Sequence, residues 1–373
     1  EAAASIGDSA INVTDVIAIV GNTHAVTITG AISATNANFI LNQAANGTSG
    51  VVTATITADT ASNLNTNLAN ATTADVLSLT VSAGNVDAAD LVGLNAKTNQ
   101  VIDITALTTT HTINGNASEL IDIYSTNAAQ YNGEGDEIVV VDDTASAANV
   151  DTIANATTGA VSATITTGAV AATLAAITNV GAGDTIVFTT DDSSADATDL
   201  VALNAKVDTF GVDSVVTVTE AAATIGSSAV NVTDAITIVG NTHAVTITGA
   251  ISAANANIIA NATSGTVTAT MTAATAADIV AGLSNVVTGD VITAEVTSTT
   301  ITAAQLATLV AKVDNLTLTN NTSALTISGT PATSDVNAIA ALTTGAVSAT
   351  LTANATVAAT LAAITNVGAG DTI

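Results

Sequence analysis

VVTATITADTASNLNTNLANATTAD (51–75), AVSATITTGAVAATLAAITNVGAGD (160–184), TVTATMTAATAADIVAGLSNVVTGD (266–290) and VITAEVTSTTITAAQLATLVAKVDN (291–315) align without a gap, as does VLSLTVSAGNVDAADLVGLNAKTNQ (76–100). Each opens with about six residues in which apolar side chains alternate with Thr or Ser, such as Val267, Ala269 and Met271 against Thr268 and Thr270. A period of two marks a half-buried strand with a hydroxylated outer face. A turn rich in Thr, Ser and Asp follows. Next comes an Ala-rich stretch with apolar residues at helical spacing, as in Leu306, Leu309 and Val310, with Thr or Asp placed to cap it. Gly or Asn with Asp closes the unit, as at Gly183 with Asp184 and Gly289 with Asp290, which predicts a glycine cap at the helix C-terminus.

One such strand and one short helix cannot bury an apolar face alone, so the units must lean on one another. The predicted fold is an α/β solenoid of stacked strand-turn-helix coils of about 25 residues, with a parallel sheet on one side and Ala-rich helices on the other. At a strand spacing of about 4.8 Å, fifteen or so coils would make a rod roughly 70 Å long with right-handed crossovers. An all-β solenoid, with the Ala-rich stretches extended, is the alternative.

Larger repeats overlie the small ones. Residues 1–41 and 220–260 differ at 8 of 41 positions, and VAATLAAITNVGAGDTI stands unchanged at 170–186 and 357–373. The expected organisation is one continuous array over residues 1–373, in modules of roughly 1–97, 98–206, 207–312 and an incomplete 313–373. Residues 108–137 and 320–345 exceed one coil, and the first holds Tyr124 and Tyr131, so inserted strands or loops are expected to bulge there.

Composition narrows the function. The chain has 373 residues, 31 acids against three lysines, a formal charge of -28, 1% aromatics, one proline and no cysteine. That charge argues against nucleic acid and anionic lipid surfaces, where Lys and Arg make the contacts. Without cysteine there is no disulfide or thiolate chemistry. Polar residues interrupt every apolar run, so no membrane span is expected. The lysines, Lys97, Lys206 and Lys312, all fall near a helix C-terminus, where terminal carbonyls favour a cation; Asp208 and Asp314 are candidate partners, and a solubilising charge copied by duplication is the plainer reading.

Chemistry-bearing groups are sparse. His24 and His243 are duplicates in NTHAVTITG, His111 lies in TTTHTING, and none has the neighbours a catalytic triad or dyad needs, so no catalytic residue and no enzyme is expected. Calcium is a candidate ligand because Asp-rich turns supply hard oxygens. Its candidate ligands are Glu134, Asp136, Glu137, Asp142 and Asp143 in one cluster and Asp191, Asp192, Asp196 and Asp199 in another, neither at EF-hand spacing. A flat Thr/Ser face, with Thr27 and Thr29, Thr53 and Thr55, and Thr268 and Thr270 in ladders, would suit carbohydrate, ice or a mineral.

The units TAADIVAGL, SADATDLVALNAK and ATVAATLAAITNVGAGD, set between short Val/Thr strands, resemble the repeats of giant secreted bacterial cell-surface proteins, among them large adhesins and surface proteins of marine cyanobacteria. The resemblance implies a secreted, extracellular or cell-surface location and a structural role, with calcium dependence frequent. The expected function is therefore a non-enzymatic rod-like segment of an adhesin, filament or surface-layer assembly that associates with copies of itself.

Overall fold

The computed structural model describes residues 1–6, 11–20, 23–45, 50–214, 216–351 and 356–373. The chain divides into two compact units, one of Glu1–Thr167, Ala172–Thr189 and Lys206–Phe210, the other of Gly168–Ala171, Thr190–Ala205 and Gly211–Ile373. Strands and short helices alternate along the chain; among the described residues the strand pairings are parallel, and no sheet closes into a barrel.

In the first unit the strands Val26–Ile32, Val52–Ile56 and Val76–Ser78 form one sheet; Val86–Asp87, Thr112–Gly115, Ile138–Ala145, Val161–Ile165 and Thr185–Thr190 follow one another in a second. The second unit has a six-stranded sheet of Ser194–Asp196, Thr217–Ala221, Val245–Ile251, Val267–Met271, Val291–Val296 and Asn315–Leu318. Thr300–Thr302, Leu325–Ser328 and Val347–Ala349 form its other sheet. Strand order follows chain order because each strand pairs with the one a repeat later: Val245 sits beside Val267, and Ala269 beside Ile292.

The alternation read in the sequence is the burial pattern. Val267, Ala269 and Met271 are buried, Thr268 is half-buried and Thr270 exposed. Beneath such strands lie the helix leucines at i and i+3, among them Leu91 and Leu94, Leu200 and Leu203, and Leu306 and Leu309, all fully buried. Each removes apolar surface worth about 1.5–3 kcal/mol. Alanine serves at the first helical turn: Ala88 and Ala197 are fully buried where a larger side chain would hold the helix off the sheet.

Many helix starts are capped as predicted, though Val230–Val239 and Thr333–Ala340 follow an alanine and have no side-chain cap. Thr60, Ser146, Ser252 and Thr275 accept the main-chain N–H three residues on, and Thr302 with Gln305 makes a full capping box. The Ala-rich segments Val170–Ala176, Ala276–Ala281 and Ala303–Lys312 are helical, which overturns the all-β alternative. Their ends differ from expectation. Helix Ala276–Ala281 is closed by Gly282 in right-handed geometry, well before Gly289, so the Gly-Asp pair is not a helix cap. Gly289 does take a positive φ of 119°, but in the return that leads into the next strand.

Two further features depart from the sequence reading. The segment around Tyr124 and Tyr131 does hold an inserted strand, Tyr131–Asn132, paired with Ile102–Asp103 in a sheet of their own, but its tyrosines turn inward. Helix Ala117–Ile121 widens into a π-helical turn at Asp122–Thr126 and a 3-10 turn at Ala128–Gln130, and both tyrosines are buried. The reason is a lack of other bulk: with so few aromatics, these rings fill volume that Ala and Val cannot. Residues 320–345 carry a strand, Leu325–Ser328, and a helix, Thr333–Ala340, of ordinary kind.

Candidate functional site

The polar groups that the fold brings together lie along the seam between one repeat and the next. Asp290, which is 6% exposed, accepts from Val267 N at 2.8 Å through Oδ1 and from Val287 N at 2.9 Å through Oδ2. One carboxylate thus ties its own turn to the first amide of the preceding strand. The device recurs. Asp75 takes Val52 N (3.0 Å) and Thr72 N (3.0 Å), Asp184 takes Val161 N (2.8 Å) and Gly181 N (2.8 Å), and Asp371 takes Val347 N and Gly368 N, both at 2.6 Å. Asp208 and Asp314 make the inter-repeat half of it: Asp208 accepts from Ile186 N at 2.8 Å, and Asp314 from Ile292 N at 2.9 Å.

A second form of the seam uses Thr-x-Gly. Thr157 Oγ donates to Glu137 O at 2.9 Å and accepts from Gly159 N. Thr263 with Gly265 repeats the pattern on His243 O, and Thr343 with Gly345 on Asn321 O. A side chain on Gly159, Gly265 or Gly345 would strike the carbonyl of Glu137, His243 or Ser323 in the neighbouring repeat.

The helix side has its own fastening. Asn257 Oδ1 accepts from Ser284 Oγ (2.9 Å) and Asn285 N (2.8 Å), and Asn38 Oδ1 holds Asn70 N at 2.9 Å. Asp151 stands in the corresponding place, accepting from Asn179 N at 2.6 Å, Asn179 Nδ2 at 2.9 Å and Thr178 Oγ at 3.1 Å. Partial burial pushes this carboxyl up, but the hydrogen bonds outweigh it and hold the group below its ordinary value. A depressed folded-state pKa adds stability that is present above the ordinary carboxylate range and lost as pH falls through the folded value. Asp151→Asn keeps an acceptor of the kind found at 38 and 257 and removes the titration. Its denaturation midpoint should fall less steeply with acid than that of the parent; equal slopes would show that Asp151 carries none of the acid sensitivity.

The sequence-derived calcium candidates have other partners. Glu137 is fully buried and accepts from Tyr124 OH, Gly135 N and Asp136 N. Asp142 accepts from Asn114 Nδ2, and Asp143 from Ala117 N in the preceding repeat. Asp192 accepts from Val170 N, and Asp196 is the N-cap of helix Ala197–Asn204, accepting from Thr198 N and Asp199 N. Burial and the nearby Glu220 charge push Asp196 above the usual carboxylate range. Glu134 is half-buried, Asp191 is exposed with its carbonyl bound by Ser214, and Asp199 stands in the first turn of its helix. Among the described residues no group of three or more His, Asp or Glu side chains is placed to hold a metal ion.

The Thr face is shorter than predicted. Thr27 lies beside Thr53, but Thr53 then meets Val76; Thr268 lies between Thr246 and Val291. Bulges at TITG, where Gly30 and Gly249 take φ of 90° and 94°, shift the register, so Thr55 faces Ala31 on one side and Ser78 on the other, and Thr270 faces Ala250 on one side and Thr293 on the other. Thr29 pairs instead with Ala2. Of the histidines, His24 is exposed, His111 closes a turn by accepting from Thr108 N at 3.1 Å, and His243 is half-buried.

Neither Lys97 nor Lys312 turns to an aspartate. Lys97 Nζ donates to Leu68 O at 3.2 Å, and Lys312 Nζ to Leu283 O at 2.6 Å, in each case carbonyls just past the end of the preceding helix. The helix-terminus reading therefore applies across repeats, not within one. No helix of the described residues is long and apolar enough to cross a membrane. No family model, curated protein or solved structure matches the chain.

Proposed function

We propose that the chain is a non-enzymatic structural repeat protein, a spacer of an extracellular, cell-surface or filament assembly, in which the repeats of each unit stack as a solenoid. The observation that carries this reading is where the seam carboxylates go: buried Asp75 and Asp290 and half-buried Asp184 each hold the first amide of the preceding strand. Side chains that elsewhere would serve a substrate here join one repeat to the next. The broken Thr columns give less support to a surface-binding role than continuous ladders would. A net charge of -28 suits a protein that must stay dissolved while presenting much backbone and few ionic contacts. Negative-stain imaging of the purified chain tests the reading. Each unit is expected to image as an elongated body of constant width, and lengthening of particles with concentration would add self-association. Units that image as rounded bodies would overturn it.

A further inference from the structure

Lys97 and Lys312 occupy one place in the architecture. Each ends or follows the helix that comes directly after a strand opening a new sheet: Val86–Asp87 and Ala88–Asn95 before Lys97, Thr300–Thr302 and Ala303–Lys312 at Lys312. Lys206 follows Ser194–Asp196 and Ala197–Asn204 in the same order. At Lys97 and at Lys312 a single repeat serves two sheets of one unit. Val291–Val296 belongs to the six-stranded sheet, while Thr300–Thr302 begins the next and stands at its edge. The strand ladder therefore offers less continuity here than elsewhere.

The helix layer supplies it. Lys312 Nζ reaches Leu283 O at 2.6 Å and Ser284 O at 3.3 Å, while Asn257 Oδ1 takes Ser284 Oγ and Asn285 N of the same turn. One turn is thus gripped from the helix before it, Ala253–Ala262, and from the helix after it, Ala303–Lys312. The division of labour is chemical: a cation meets carbonyls that carry the helix's partial negative charge, and a neutral amide oxygen meets the donors. Asn38, Asn70 and Lys97 repeat the grip in the first unit through Leu68 O.

We infer that this lysine-asparagine grip is a clasp, built into each unit, that fastens the junction between its successive sheets and keeps it from opening ahead of the rest. The inference does not depend on where the protein works. Native-state hydrogen exchange on the full chain tests it with Lys312→Met, which keeps the stem and loses the cation. Exchange should rise about tenfold across residues 276–312, the effect of one charge-assisted hydrogen bond, with strands Thr217–Ala221 and Val245–Ile251 unchanged. Lys312→Arg should restore protection. Asn257→Ala should loosen the same stretch, and the double variant should exceed the larger single effect by little, since both grip one turn. Unchanged exchange, a rise spread evenly over the unit, or fully additive effects would each overturn the clasp.

Discussion

Asp290→Ala should lower the stability of the second unit by about 3 kcal/mol, because it strips the acceptor from two main-chain amides at once. Val267 N and Val287 N both point at this carboxylate, and the bond to Val267 is buried, so water cannot readily replace the lost partner. A hydrogen bond to a charged group contributes about 1.5–3 kcal/mol, and an orphaned buried donor costs a similar amount. Asp290→Asn should fall between, since one amide oxygen can serve only one of the donors well. The damage should be local. Exchange at the start of strand Val267–Met271 should accelerate first, while the first unit keeps its denaturation midpoint. If Asp290→Ala left the second unit's midpoint unchanged, the seam would owe its strength to strand pairing and apolar packing alone.

The seam also shows what is legible in a sequence of this kind. Strand alternation at Val267–Met271 and the caps at Thr302 and Ser252 are read from neighbours along the chain, and there the reading holds because the cause is local. The Asp clips are different. Asp75, Asp184 and Asp290 stand at the same place in their 25-residue windows, so their recurrence is plain, yet read locally each is only part of a turn. The acceptor meets an amide a full repeat earlier in the chain, and only the register of the parallel strands brings the two together. Likewise the lysine spacing is visible and its target is not: Lys97 and Lys312 pass over their own helix ends to the helix before. The Thr ladders are cut short for a related reason. A Gly at positive φ in TITG slips the register, which a pattern of period two does not reveal.

The other large effect is expected at Tyr124 and Glu137. Glu137 is fully buried, and donors surround its charge: the Tyr124 hydroxyl and the amides of Gly135 and Asp136. Tyr124→Phe keeps the ring's volume and removes one donor, so it should cost about 2 kcal/mol; Glu137→Gln should cost about 3 kcal/mol, because an amide group cannot accept from all of them. The pair also fixes how the first unit meets alkali. Burial, followed by the Glu137 charge, pushes the Tyr124 phenol far up, and burial with the Asp122 charge does the same to Tyr131. A phenol whose folded value is raised adds stability that is intact below its ordinary range and is lost as pH climbs above it, since only the unfolded chain ionises there. These are the two tyrosines of the chain, so ultraviolet absorbance reports them alone. Phenolate should appear only together with unfolding of the first unit, at a lower pH in Tyr124→Phe. Phenolate forming at an ordinary pH while the helices remain would show that the rings are open to water and that Glu137 is held by the main chain alone.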